Sequence, residues 1–193
     1  MAGKTRKRSR PPHRLRVFLC HTSDDKPAVR RLYRRLKDDG FDPWLDEENL
    51  LPGQDWDLEI SRAVRRSDMI IVCLSRAAVV KRGYVQKEIK QALDVADEQP
   101  EGTIFIIPLK LEECVAPERL RRWQWVSLFE AGGYARLKRA LLHTSKQKGQ
   151  ESYNRVSILW EEILINDAGI PKKKARQLAR KGVNKVKRFE GKE

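Results

Sequence analysis

An uninterrupted apolar run, Met69-Ile70-Ile71-Val72-Cys73-Leu74, is the feature that most constrains what this chain can fold into. Successive residues of a strand point to opposite faces of a sheet, so a strand made of this run has apolar side chains on both faces. Strands of that kind lie inside parallel sheets and are covered by helices above and below. The run therefore predicts a central parallel strand.

Four further strand patterns alternate with helical patterns along the chain. Strands are predicted at 16–21, 41–45, 68–75, 103–109 and 125–129. Helices are predicted from Pro27 to Gly40, from Trp56 to Val64, around Glu88, from Pro117 to Trp123 and from Tyr134 to Leu142. Because helix-length connections join parallel strands, this order predicts a doubly wound α/β fold with five parallel strands and helices on both faces.

Ligands of such sheets bind beyond the carboxyl ends of the strands. The loops expected there are 22–25, 46–55, 75–83 and 114–117, and the helix that carries Glu88 begins at the same rim. Glu88 lies at the edge of that helix's apolar stripe, and Tyr84 is one turn earlier on the same face. We therefore expect Glu88 to meet a ligand. A solvated surface glutamate is the alternative that this stretch alone leaves open.

Several classes of site are excluded by the residues at these positions. The first strand–loop junction, Cys20 to Asp25, has no glycine, which excludes a dinucleotide-binding fingerprint and a P-loop. No cluster of His, Cys and Asp has metal-ligand spacing, so no metal is predicted. The three scattered cysteines predict reduced thiols in a cytoplasmic protein. No apolar run reaches the roughly 18 residues of a membrane span, so no transmembrane segment is predicted.

The two ends of the chain carry almost all of its net charge of +14. Residues 1–16 hold seven Lys or Arg and no acidic residue, and 171–193 hold ten Lys or Arg and two Glu. We predict a basic disordered tail (1–13), a globular domain (14–142), a polar linker (143–151) and a basic helical extension (152–193). The basic ends suit nucleic acid or another anionic surface, although solubilising tails have the same composition.

Four stretches of the chain together resemble a Toll/interleukin-1 receptor (TIR) domain of the bacterial, soluble kind. Val17 to Asp25 is similar to the first strand and loop of the family. Trp44 to Trp56 resembles its second strand and BB loop, here residues 46–55. Val72 to Ser75 is similar to the end of its third strand, and Gly83 to Glu88 to its aromatic-plus-glutamate motif. The resemblance covers about residues 14–142 and implies a flavodoxin-like TIR fold.

Members of this family either act as adaptors or cleave the nicotinamide–ribose bond of NAD+. The resemblance implies that Glu88 is the catalytic glutamate and that NAD+ is a substrate, with no further cofactor. The substrate-binding residues that it implies are Thr22, Ser23, Leu51, Trp56, Ser75 and Tyr84. Some enzymatic members have an arginine in the first loop, whereas Thr22 and Ser23 are neutral, so phosphate contacts would fall to Arg76, Lys81, Arg82 or backbone amides.

Structural roles stay open beside these assignments. Ser75 could cap or end its strand, Asp46 could hold the BB loop, and Trp44 and Trp56 could pack in the core or the loop. The first functional hypothesis is an NAD+ glycohydrolase or cyclase in signalling or prokaryotic defence, activated by self-assembly. The second is a non-catalytic module that recruits other TIR domains. The third is a nucleic-acid-binding role of the basic ends.

Overall fold

Five strands form one sheet in the computed structural model, which describes residues 14–80, 84–98, 102–166 and 168–190. The strands are β1 (Arg16–Cys20), β2 (Asp42–Trp44), β3 (Met69–Leu74), β4 (Ile106–Lys110) and β5 (Val126–Ser127). Their order in space is β2-β1-β3-β4-β5, and every pair is parallel. This is the strand order of flavodoxin-like sheets, so the predicted fold class is confirmed.

Helices connect the strands and follow the last one. They are α1 (Lys26–Asp38), α2 (Asp46–Asn49), α3 (Trp56–Arg66), α4 (Arg76–Val80), α5 (Tyr84–Asp97), α6 (Gly133–Asn166) and α7 (Lys172–Glu190). Within the described ranges, no helix has both the length and the apolar content of a membrane span.

The alternating faces of β3 divide the hydrophobic core into two halves. Met69, Ile71 and Cys73 belong to a cluster with buried side chains of α1 and α6. Ile70, Val72 and Leu74 belong to a second cluster with buried side chains of α3 and α5. Every residue of β3 is buried, as expected of a strand covered by helices on both sides.

An ion pair joins the amino ends of β1 and β3. The Arg16 guanidinium donates from Nε to Asp68 Oδ2 (3.1 Å) and from a terminal nitrogen to Asp68 Oδ1 (2.9 Å). The backbone N–H of Arg16 also donates to Asp68 Oδ2 (2.9 Å). The hydrogen bond to Asp68 raises the pKa of Arg16. This two-pronged geometry fixes the register in which β1 enters the sheet.

The structure corrects four predicted elements. Residues 46–49 of the predicted loop 46–55 form the short helix α2. Residues 76–80 form α4, although we predicted a loop over 76–83, of which 81–83 lie outside the described residues. The predicted helix from Pro117 to Trp123 is only a 3-10 turn at Glu118–Leu120. The predicted strand 125–129 shortens to Val126–Ser127, because only Leu109 and Lys110 of β4 pair with it.

Residues 143–151 are helical, although their polar composition led us to interpret them as a linker. They lie within α6, whose Lys, Gln and Ser side chains are compatible with a helix. The chain divides into two compact units, 1–145 and 146–193. The predicted basic tail, 1–13, lies outside the described residues.

The second unit is a helical hairpin made by the last part of α6 and by α7. Ala175 and Ala179 of α7 are buried, and the Tyr153 hydroxyl donates to the Arg180 carbonyl (3.4 Å). The turn contains Gly169 at φ +61°, a conformation that glycine adopts without steric cost.

Gly133 provides a sharp test of the packing of α6 on the sheet. A Cβ at this position would lie 2.1 Å from the Ser127 carbonyl oxygen. We therefore expect Gly133→Ala to lower the free energy of unfolding by about 1–3 kcal/mol, measured by urea denaturation.

Gly182→Ala is the matched control, because a Cβ there meets no atom within 4 Å. Alanine favours a helix over glycine by about 1 kcal/mol, so this variant should not lose stability. Equal urea midpoints for Gly133→Ala and the parent chain would contradict the packing described.

Candidate functional site

The order of the strands reverses between β1 and β3, because the chain goes from β1 outward to β2 and then returns to the other side of β1. At such a switch point the loops after the two strands separate and leave a crevice. The loops concerned here are 21–25 after β1 and the start of α4 after β3. We therefore built the candidate site from these residues.

A buried carboxylate joins the two loops at the switch point. Thr22 Oγ1 donates to Asp25 Oδ2 (2.8 Å), and Ser75 Oγ donates to the same oxygen (2.9 Å). The backbone N–H of Asp25 donates to the Thr22 carbonyl (3.0 Å). We call Thr22, Asp25 and Ser75 the Asp25 cluster. All three residues are buried.

Ser75 also begins α4. Its Oγ accepts a hydrogen bond from the Ala78 backbone N–H (3.0 Å), which is the geometry of a helix N-cap. The interpretation of Ser75 as a capping residue is thus confirmed. Because Thr22 and Ser75 both donate their hydroxyl hydrogens to Asp25, they position the loop in this arrangement. Their contact with a substrate stays a prediction.

The other described candidates lie on the surface. Ser23 is exposed in a short 3-10 turn, and Leu51 and Trp56 are exposed at the tip and the end of the BB loop. Leu51 leaves 67% of its surface accessible even though its backbone N–H donates to Gln54 Oε1 (2.7 Å). The loop backbone is therefore ordered by its own hydrogen bonds while the apolar side chains face outward.

Charged and polar contacts connect the base of the BB loop to His21, which follows β1, and to α1. His21 is buried, donates from Nδ1 to the Leu19 carbonyl (3.1 Å) and has Nε2 3.7 Å from Asp46 Oδ1. Glu47 forms ion pairs with Lys26 (2.5 Å) and with Arg30 of α1. The hydrogen bond from Lys26 is the main reason why the pKa of Glu47 is lowered, and that from Arg30 adds to it.

Trp44 is a packing residue. Its ring stacks on Phe18 with centroids 5.0 Å apart and an interplanar angle of 15°. The interpretation of Trp44 as a core residue is therefore confirmed, whereas Trp56 is nearly half exposed.

Tyr84 and Glu88 belong to α5, where Tyr84 is the first residue and Glu88 lies in the second turn. Their side chains, and residues Lys81 and Arg82, lie outside the described part of the chain. On the described part of this helix, Ile89 is buried in the core cluster beneath it, as predicted. The backbone thus places Glu88 near the start of the helix that follows β3 and α4.

Arg76, a candidate phosphate contact, is engaged with the loop after β4. Its side-chain Nε donates to the Glu113 carbonyl (3.1 Å), and its backbone N–H donates to Glu112 Oε1 (2.8 Å). A substrate phosphate would have to compete with these contacts for the guanidinium.

A cavity of about 800 Å³ lies elsewhere, between β4, residues 123–127 and the first turns of α6. Its lining includes Ile104, Trp123, Trp125, Arg136 and Arg139, and none of the predicted site residues. Ligands of open parallel sheets bind at the carboxyl ends of the strands, where the switch point lies.

Neither a thiol nucleophile nor a metal centre is supported by the described residues. Burial raises the pKa of Cys73 far above its ordinary value, with the nearby Asp25 charge adding to the effect. Burial also raises the pKa of Cys114. In the part of the chain that the structure describes, no three His, Cys, Asp or Glu side chains are grouped to hold a metal ion.

The TIR domain family model matches residues 17–142, which contain all of the sheet except Arg16, together with the Asp25 cluster and Glu88. The chain belongs to the TIR domain family. Residues 143–193 lie outside the match.

Two solved structures resemble this chain at the level of fold, and one curated protein resembles it in sequence. The TIR domain of the Toll-related receptor TRR-2 of Hydra magnipapillata is 17% identical with a TM-score of 0.52, covering 69% of this chain and 97% of its own. A prokaryotic SEFIR domain is 17% identical with a TM-score of 0.51, covering 66% and 98%. The uncharacterized protein y4cD of Sinorhizobium fredii is 26% identical over 123 residues, 58% of this chain. The match spans only 19% of that relative's length.

Asp25 is the residue of this TIR domain whose role our sequence analysis missed. Its position just before α1 makes it a candidate N-cap of that helix, but its side chain makes no capping hydrogen bond. Its partner Ser75 is 50 residues away, so only Thr22, three residues before it, offered a local signal.

Removing the Asp25 carboxylate should destabilise the domain. Asp25→Ala leaves the buried Thr22 and Ser75 hydroxyls without their acceptor, so we expect a loss of about 3 kcal/mol in the free energy of unfolding. Asp94→Ala removes an exposed carboxylate of α5 and should cost less than about 1 kcal/mol. Similar urea midpoints for the two variants would show that the cluster does not hold the loop.

The ion pairs of Glu47 predict how stability depends on pH. The pKa of Glu47 is lowered in the folded state, so its contribution is present above the ordinary glutamate range and lost as the pH falls through the folded pKa. Glu47→Gln should therefore reduce the difference in stability between neutral and acidic pH. The difference should be small, because these ion pairs are partly exposed.

Glu118→Gln, which removes an exposed carboxylate by the same substitution, is a control for a general effect of charge. An unchanged pH dependence in Glu47→Gln would contradict the assigned role.

Proposed function

We propose that this TIR domain is an NAD+ glycohydrolase that breaks the nicotinamide–ribose bond, with Glu88 as its catalytic residue. The family includes NAD-cleaving enzymes as well as adaptors. The observation that carries the proposal is the position of Glu88 in the second turn of α5, within the matched domain and on the helix that follows the switch-point strand β3.

The chemistry requires a carboxylate at such a place. Departure of neutral nicotinamide leaves positive charge on the ribosyl carbon and ring oxygen, and a nearby carboxylate stabilises that charge as it develops. Attack by water on the ribosyl carbon gives ADP-ribose and releases a proton. Attack by an adenine nitrogen of the same molecule gives a cyclic product instead.

The Asp25 cluster holds the loops beside this proposed site in place. Both loops of the switch point are held by one buried oxygen, so the backbone of residues 22–25 and the start of α4 form a fixed wall. Ser23, exposed on that wall, and Tyr84, at the first position of α5, are the proposed substrate contacts. Fixed surroundings of this kind keep the reacting bond oriented toward the carboxylate.

Self-assembly through the BB loop is the second part of the proposal. TIR domains associate with themselves or with other TIR domains. Leu51 presents apolar surface on a loop whose backbone is already ordered, which lowers the entropic cost of binding, and Trp56 at the start of α3 adds exposed apolar surface. We place the assembled protein in the cytoplasm, in signalling or prokaryotic defence.

An adaptor that only recruits other TIR domains is the alternative function. The same exposed Leu51 and Trp56 favour it, because an apolar loop tip serves association whether or not chemistry follows. The two functions differ in whether NAD+ is consumed.

The test is NAD+ consumption by concentrated and bead-clustered protein, with nicotinamide and the second product separated by chromatography. Glu88→Gln should lower kcat by at least roughly a hundredfold, because it removes the charge that stabilises the transition state. Asp94→Asn removes an exposed carboxylate from the same helix and should leave turnover unchanged. The product, ADP-ribose or its cyclic form, identifies the attacking group.

No turnover by clustered parent protein would exclude the enzyme and favour the adaptor. Equal turnover by Glu88→Gln and the parent chain would exclude Glu88 as the catalytic residue.

Association should depend on the tip of the BB loop. We expect Leu51→Asp to shift the association midpoint to roughly tenfold higher protein concentration, because it removes an apolar contact of one to two kcal/mol. Val115→Asp is the matched control, since Val115 is similarly exposed on another loop. Sedimentation velocity measures both variants, and equal association of Leu51→Asp and the parent chain would contradict the role of the loop.

A further inference from the structure

The second unit carries an apolar surface that the proposed function does not use. On α6, Val156, Leu159, Trp160 and Ile163 follow one another at the spacing of a single helix face. Their exposed fractions run from 38% for Val156 to 53% for Trp160. This surface lies outside the residues that match the TIR family model.

The surface is not the one that holds the hairpin together. The side of α6 that meets α7 includes Tyr153, which reaches the Arg180 carbonyl, and Glu161, which is 3.3 Å from Arg176 Nε. At 3.6 residues per turn, the exposed apolar stripe lies about 100° around α6 from this contact side. The apolar side chains therefore remain available after the hairpin has formed.

Leu178 of α7 extends the same surface. Ala175 and Ala179 mark the side of α7 that is buried in the hairpin, and Leu178 lies about 80° from it. Because α6 and α7 run antiparallel, the rotation of about 80° on α7 and that of about 100° on α6 bring these apolar side chains to the same side of the hairpin. We call Val156, Leu159, Trp160, Ile163 and Leu178 the hairpin face.

Positive charge borders the hairpin face. Lys174 and Lys181 lie one turn before and one turn after Leu178, on the same flank of α7. Residues 172–182 contain six Lys or Arg and no acidic residue. The face is therefore an apolar centre, with a tryptophan, beside a cationic helix.

We propose that the hairpin face binds the surface of an anionic phospholipid membrane. Tryptophan and leucine side chains enter the boundary between headgroups and acyl chains, and lysines beside them attract anionic headgroups. The hairpin lies in the plane of the interface and does not cross the bilayer. This proposal is independent of whether the first unit cleaves NAD+.

Charge favours a membrane over a second copy of the chain. Two hairpins that met through this face would bring two cationic α7 helices close together, and like charges in contact oppose association. Nucleic acid suits the lysines but offers no apolar surface for Leu159, Trp160 and Ile163. An anionic lipid surface satisfies both halves of the pattern.

The test uses the full chain in co-sedimentation with vesicles of phosphatidylcholine and phosphatidylserine, with pure phosphatidylcholine vesicles in parallel. The parent chain should bind the mixed vesicles more tightly. The double variant Leu159→Ser and Ile163→Ser should bind them about tenfold or more weakly, because two apolar side chains no longer enter the interface. Ile158→Ser is the matched control, since Ile158 is equally exposed but lies on the opposite side of the hairpin.

Lysines on and off the face give a second comparison. Lys174→Ala and Lys181→Ala should each weaken binding about fivefold. Lys173→Ala removes the same charge from a position on the other side of α7 and should have a smaller effect. Equal losses for Lys173→Ala and Lys174→Ala, together with unchanged binding of the Leu159/Ile163 variant, would overturn the proposal in favour of non-specific charge attraction.

Trp160 fluorescence reports insertion directly. On adding mixed vesicles, the emission of the parent chain should shift to shorter wavelength, and Trp160→Phe should lose most of that shift while still sedimenting. An unchanged shift in Trp160→Phe would overturn the orientation proposed. The proposal would also be overturned if the parent chain dimerises without lipid and the Leu159/Ile163 double variant loses the dimer but still binds vesicles. The face would then belong to a second copy of the chain.

Discussion

Burial of both faces of β3 is the constraint on which the rest of the TIR domain depends. Met69, Ile71 and Cys73 need cover on one side of the sheet, and Ile70, Val72 and Leu74 need it on the other. Each such side chain contributes about 1.5–3 kcal/mol when fully buried, so helices on one face alone would leave much of that stabilisation unused. The crossovers that provide both layers bring the carboxyl ends of all five strands to one edge.

Two carboxylates hold β1 against β3, one at each end of the pair, and they do so differently. At the amino end, Asp68 meets the Arg16 guanidinium, and the contact is partly open to solvent. At the carboxyl end, Asp25 is buried and accepts from two hydroxyls. The ionic contact sets the register, whereas the buried one fixes the loops that follow the two strands.

The fold was predictable because its signals are local. Apolar runs and helical stripes identified the central strands and the helices that cover them, and the order of elements then required parallel pairing. The start of α4 was missed because Arg76–Val80 is too short to show a period and depends on a cap from Ser75. The stretch 143–151 was expected to be a polar linker and is helical, because polar composition says little about backbone state when the residues favour a helix. The division between the two units nevertheless falls within it.

The candidate site was predictable only in part, for a related reason. Family resemblance pointed to Thr22, Ser75 and Glu88, but the sequence does not show that two of these are joined through Asp25. Such a network is a property of side chains 50 residues apart, and no pattern within one loop contains it. The exposure of Leu51 and Trp56 likewise depends on the position of the loop in the fold, which the sequence pattern does not give.

The three cysteines of this domain can report on its unfolding through their accessibility to a thiol reagent. Cys20 and Cys73 face opposite halves of the core and are sealed from solvent, while Cys114 lies in a partly open loop. A thiol reagent therefore meets one accessible sulfur in the native state, and the other two only after the sheet has opened. The kinetics of modification would separate local motion near Cys114 from global opening without any engineered label.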